Sequence, residues 1–124
     1  MVDERDVPLT TWSDETRGVA RFRTLIGDGT APTDTLTAGV AEMEPGDWLG
    51  HHRHEPAEVY YIFQGEGTVT LGGEERVVKA GSAVFIPGNL EHGIRNTGSG
   101  PLRLFYAFAV DSFEDVEYHF PADE

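Results

Sequence analysis

Between residues 16 and 110 the chain breaks into short runs, roughly five to nine residues each, in which apolar side chains alternate with polar ones or β-branched residues cluster. Glycine or proline punctuates these runs at close intervals. A period of two sends successive side chains to opposite faces of an extended chain, so the pattern predicts strands over 19–26, 35–43, 58–64, 68–71, 76–79, 83–86, 92–96 and 102–110. The cleanest alternation is Leu102, Leu104, Tyr106, Phe108 and Val110, which gives one strand a continuous apolar face. Gly72-Gly73 reads as a two-residue hairpin, because both residues of such a turn take positive φ. A helical period is missing from this stretch. The single helix candidate is a short turn near 111–116, which Asp111 or Ser112 would cap. Many short strands in so small a chain predict an all-β closed barrel or jelly roll, since closure removes the exposed edges that invite aggregation.

Composition narrows the functions open to such a barrel. The 124 residues allow one domain with one core. Nine Lys+Arg stand against 22 Asp+Glu, a net charge of −13, which argues against nucleic acid and against anionic membrane surfaces. Eleven of those acids fall in the first 15 and last 14 positions, so 1–15 is expected to be an acidic arm, 16–110 the barrel and 111–124 a tail packed on it. Cysteine is absent, which removes disulfides and thiolate chemistry. The N-terminus has no basic, apolar leader pattern, and no apolar run approaches the length of a membrane span. The expected location is therefore the cytoplasm.

Candidate chemistry concentrates in Gly50-His51-His52-Arg53-His54-Glu55. Histidines two apart on an extended chain face the same side, so His52 and His54 can aim at one point while His51 looks away. Glu58 follows four residues later at the start of the apolar run Val59-Tyr60-Tyr61-Ile62-Phe63, where a carboxylate needs compensation that a cation would supply. His92, at the entry to a later strand, is the expected fourth group. Three imidazoles and one carboxylate suit a divalent transition metal such as Fe, Mn, Ni, Zn or Cu. The competing reading is of exposed loop histidines beside a solvated carboxylate. The glycine spacing decides against it: Gly46, His52, His54, Glu58 and Gly65 form one block, and Gly81, Pro87, His92 and Asn96 a second.

Together these blocks resemble the two motifs of the cupin family. The second departs from its pattern only at Asn89, where glycine is usual; asparagine tolerates left-handed backbone, so the turn should survive. The resemblance spans about residues 36–110. It implies a small double-stranded β-helix, a metal in one mouth held by His52, His54, Glu58 and His92, and a homodimer. Pro56-Ala57-Glu58-Val59-Tyr60, with Phe105-Tyr106-Ala107-Phe108 and the tail through Tyr118, also resembles the small cupin dimethylsulfoniopropionate lyases. That resemblance implies a carboxylate-bearing small-molecule substrate and a β-elimination giving dimethyl sulfide and acrylate. Tyr60, on the same face as Glu58, is the expected base, and Tyr118 a second base or a positioning hydroxyl. A sulfonium favours aromatic faces, and Trp48, Tyr60, Tyr106, Phe108 and Tyr118 are available by type. Two other readings fit the ligand set: a non-haem iron dioxygenase, and a non-catalytic metal- or sugar-binding cupin. Arg23, Arg95 and Arg103 could bind a carboxylate substrate, although strand arginines more often pair with acids, and His119 is expected at the surface.

Overall fold

The computed structural model describes residues 1–27, 33–110 and 116–121. Among the described residues are ten strands: β1 (Thr10–Asp14), β2 (Gly18–Ile26), β3 (Thr37–Met43), β4 (Trp48–His52), β5 (Glu58–Gln64), β6 (Glu66–Leu71), β7 (Glu74–Lys79), β8 (Ala83–Ile86), β9 (His92–Arg95) and β10 (Leu102–Phe108). They pair antiparallel in the order β7-β6-β9-β4-β2-β3-β10-β5-β8, with β1 added to β2. The two ends of that path, β7 and β8, are consecutive in the chain, so the sheet curls back on itself. Their link is stitched inward, the Gly81 N–H donating to the Ile62 carbonyl at 2.8 Å and the Ile62 N–H to Ser82 at 2.9 Å. The result is the expected all-β barrel.

Alternation sorts the side chains. Along β5 Glu58, Tyr60 and Ile62 point inward, and along β10 Leu102, Leu104, Tyr106 and Phe108 do the same. They join Met43, Val69, Ile86 and Ile94 in the core, where each buried aliphatic side chain contributes about 2 kcal/mol of transfer energy. The β6–β7 turn has φ of 55° at Gly72 and 90° at Gly73, the left-handed pair that the double glycine predicts.

Several boundaries differ from the sequence reading. β3 starts at Thr37 rather than at 35, because Thr35 sits at a φ of 61°, outside extended conformation. β10 stops at Phe108, before Val110. Two strands carry no clean alternation and were not predicted: β4, broken by Gly50 and polar histidines, and β1. The latter lies within the segment expected to be an arm, and pairs with β2 from Thr10↔Phe22 to Asp14↔Gly18. The expected turn near 111–116 falls largely outside the described residues. Among those described, the helical element is a 3-10 turn at Glu4–Asp6, and no helix is long and apolar enough to cross a membrane.

Candidate metal centre and cavity

β4 delivers the first histidine through an irregularity. Its pairing with β9 runs Leu49↔Ile94 and then His52↔His92, three residues on one strand against two on the other. Strict alternation from the inward Leu49 would send His51 into the barrel. The bulge shifts the phase by one, so that His52 is buried and His51 is exposed beside Glu91. His54 follows in the β4–β5 connection, held where the Asn89 N–H donates to its carbonyl at 2.7 Å. Asn89 has a φ of 62°, the left-handed turn that the sequence required of it. Gly88 beside it passes so near the Glu55 carbonyl that a Cβ would lie 2.3 Å from that oxygen. Close stitching of these two turns fixes His54 relative to His92.

All three rings are oriented the same way. Nδ1 of His52 donates to the Gly50 carbonyl at 2.7 Å, that of His54 to Pro56 at 2.8 Å, and that of His92 to Leu90 at 2.8 Å. A carbonyl only accepts, so the proton of each neutral ring sits on Nδ1 and the lone pair on Nε2. Ligand nitrogens of the three residues lie within 4.8 Å of one another, and the His52 and His92 ring centroids are 4.3 Å apart. Glu58 borders the group, its Oε1 at 3.2 Å from His54 Nε2 and 3.6 Å from His92 Nε2. The His92 Nε2 is buried and has no hydrogen-bond partner among the described residues. An orphaned lone pair, two like neighbours and a carboxylate fit a metal ion, with Nδ1–H contacts fixing each ring from behind.

Electrostatics around the rings follow from burial. Desolvation, then the nearby His92, pushes His52 down to about 4, so it stays neutral at physiological pH. Burial also opposes charge on His54, but the hydrogen bond and charge of Glu58 outweigh it and raise its pKa. Glu58 is driven up by burial and down further by the facing imidazoles of His54 and His92, ending below its ordinary value. Tyr60 is held well above 10, first by burial and then by the Glu58 charge and Tyr118.

In front of these groups lies a cavity of about 650 Å³, lined on one side by His52, Glu58, Tyr60 and Tyr118. The structure thus brings both candidate tyrosines to one space. Tyr60 reaches it from β5, and Tyr118 from the tail, where its ring lies 5.4 Å from that of His54. Of the other aromatic candidates, Tyr106 lines the cavity, Phe108 is core and Trp48 faces a separate groove. Trp12, Arg17, Phe22 and Phe120 also line it and escaped the sequence reading. One signal was present: Val116, Tyr118 and Phe120 repeat at every second position of the acidic tail. The three strand arginines pair elsewhere: Arg23 donates to the Val7 carbonyl, Arg95 meets Glu75, and Arg103 meets Glu4 and Glu42. His119 is partly exposed and near Glu117.

Comparison with known proteins agrees with this architecture. Residues 39–108 match the Cupin_2 family, described as a cupin domain. The chain is 46% identical to the dimethylsulfoniopropionate lyase DddW of Ruegeria pomeroyi over 124 residues, covering 98% of this chain and 79% of that one. A predicted oxalate decarboxylase from Thermotoga maritima superposes with a TM-score of 0.80 at 24% identity, over 89% of this chain and 98% of its own. The dimethylsulfoniopropionate lyase DddQ of Ruegeria pomeroyi superposes with a TM-score of 0.72 at 23% identity, over 100% of this chain and 61% of its own. With its two motif blocks, its curled sheet and a relative matched over nearly its whole length, this chain belongs to the cupin family.

Proposed function

We propose that the protein is a metal-dependent carbon–sulfur lyase that splits dimethylsulfoniopropionate into dimethyl sulfide and acrylate. The observation that carries this reading is the cavity: His52, from a cluster of three imidazoles, and Glu58 line the same space as two phenols, in a chain 46% identical to a lyase of that substrate. His52, His54 and His92, with Glu58 beside them, would hold a divalent transition metal. Such an ion supplies Lewis acidity, binding a substrate carboxylate and easing charge onto the carbon next to it.

The chain's own groups do the rest. Tyr60, once ionised to its phenolate, accepts the proton from the carbon next to the carboxylate; the electron pair of that carbon–hydrogen bond becomes the new carbon–carbon double bond as the carbon–sulfur bond breaks and dimethyl sulfide leaves with the bonding pair. The Tyr60 phenol is a poor base while burial and the Glu58 charge hold its proton. A cation held beside it would oppose both causes, by engaging Glu58 and by favouring the phenolate, the form in which Tyr60 acts as a base. Trp12, Phe22 and Tyr106 offer aromatic faces to the sulfonium, and Tyr118 orients the substrate from the tail. A cytoplasmic location and a homodimer accompany this reading.

The test is headspace detection of dimethyl sulfide from protein loaded with Fe, Mn, Ni or Zn, with dissolved oxygen followed in parallel. Dimethyl sulfide without oxygen uptake is expected, and Tyr60→Phe should abolish it while bound metal stays at the parent level. No dimethyl sulfide with any of the four metals removes the lyase reading, and oxygen uptake moves it to a dioxygenase.

A further inference from the structure

The tail from Val116 to Pro121 is tied to the barrel at the peptide between the two motif histidines. The Arg53 N–H donates to the His119 carbonyl at 3.0 Å, and the His119 N–H returns to Arg53 at 2.9 Å. This is a hydrogen-bonded antiparallel pair, so the residues flanking it face each other: Phe120 opposite His52, and Tyr118 opposite His54. Ring positions agree, with Phe120 5.2 Å from His52 and Tyr118 5.4 Å from His54. Because side chains alternate, a slip of one residue would put His119 over the cavity and turn both aromatic rings away. A single two-bond bridge is a weak guardian of register. The Phe120 ring has further holds: it stacks on Trp12 of β1 at 6.4 Å and 24°, and the Arg17 guanidinium lies 5.0 Å from its centre. Arg17 is itself placed by the β1–β2 turn, where the Asp14 carboxylate accepts from its N–H at 3.1 Å.

We infer that Phe120 is a positioning residue: clasped between Trp12 and Arg17 and laid on His52, its ring locks the tail in the register that presents Tyr118 to the cavity. The inference rests on the proposed role of Tyr118, yet its geometry stands apart from the identity of the substrate. Phe120 acts through Tyr118, so the two should not be independent.

The experiment compares Phe120→Ala, Phe120→Tyr and His119→Ala in a Trp48→Phe background, where Trp12 is the one remaining indole. Phe120→Ala should expose Trp12 to acrylamide quenching and change the visible spectrum of the cobalt-loaded protein while one equivalent still binds. It should also lower kcat for dimethylsulfoniopropionate by about tenfold or more, the scale of loss expected when a reacting group is misplaced. Phe120→Tyr should restore both behaviours, and His119→Ala, whose side chain points outward, should match the parent. In a Tyr118→Phe background, Phe120→Ala should add little further loss. The inference is overturned if Phe120→Ala leaves Trp12 as protected as in the parent, if its effect adds in full to that of Tyr118→Phe, or if His119→Ala is equally damaging. Should the parent make no dimethyl sulfide at all, the lyase reading fails, while Trp12 quenching and the cobalt spectrum still decide whether Phe120 holds the tail.

Discussion

Without a metal, His52 is the residue through which acid reaches the fold. Its pKa of about 4 in the folded protein lies below the ordinary 6.5, so between those values the unfolded chain binds a proton that the native one refuses. Stability therefore falls as pH drops from 6.5 towards 4, by on the order of 3 kcal/mol for a shift of this size. Glu58, held below its ordinary value, adds a loss in the same direction below about pH 4.5. His54 is raised and works the other way, contributing below pH 6.5 and fading as pH rises through its folded pKa. Urea unfolding in chelator at several pH values should show the decline in the parent and a flatter profile in His52→Gln; equal slopes would remove His52 as the cause. The same rings predict metal dependence. His52→Ala, His54→Ala or His92→Ala should each cut metal content at least tenfold by elemental analysis, because each deletes an oriented Nε2. His51→Ala, on the outer side of the bulge, should retain it.

Between the strands, Asn96 is a buried polar side chain that ties the ends of three of them together. Buried just after β9, it donates to the Met43 carbonyl at the end of β3 and to Gly100 before β10, each at 2.9 Å, and accepts from the Gly98 N–H at 2.9 Å. Asn96→Ala orphans two carbonyls and one N–H, and should cost about 2–4 kcal/mol in urea unfolding with metal stoichiometry unchanged. A loss below about 0.5 kcal/mol would show that water replaces the side chain without penalty. Asn96 also marks what was legible in advance. Motif spacing found it, with His52, His54, Glu58 and His92, because glycine and proline positions register turns directly. Alternation found β5, β8 and β10, whose inner and outer faces differ sharply. It could not find β4, where the bulge before His52 breaks the period, or β1, where Thr10, Thr11 and Ser13 surround Trp12 without an apolar face. The roof of the cavity was hidden for a related reason. Trp12 and Phe22 stand on the paired strands β1 and β2, but Phe120 comes from the far end of the chain, and only the bridge between Arg53 and His119 brings it to them.

Across the whole molecule, the charge imbalance exceeds anything local pairing can absorb. Nine cationic side chains can neutralise at most nine of 22 acids, which leaves 13 carboxylates repelling one another over a molecule roughly 35 Å across. Several cations are already committed, in Arg103 with Glu4 and Glu42, Arg95 with Glu75 and Arg21 with Asp47. Salt acts on both kinds of interaction. At about 0.01 M the screening length is about 30 Å, so the excess acids feel each other through most of the molecule; at about 0.15 M it is about 8 Å and only neighbours interact. The surface pairs each contribute less than about 1 kcal/mol and weaken as well, yet there are few of them against many longer repulsions. Repulsion is the larger loss, so salt should stabilise. The melting temperature should rise by several degrees between about 0.01 and 0.5 M NaCl, as read by calorimetry on metal-free protein. Divalent metal affinity should fall over the same range, because screening also removes the negative field that concentrates cations near the mouth. A melting temperature that stays flat or declines with salt would mean that the surface ion pairs, and not the excess acids, set the electrostatic balance of the fold.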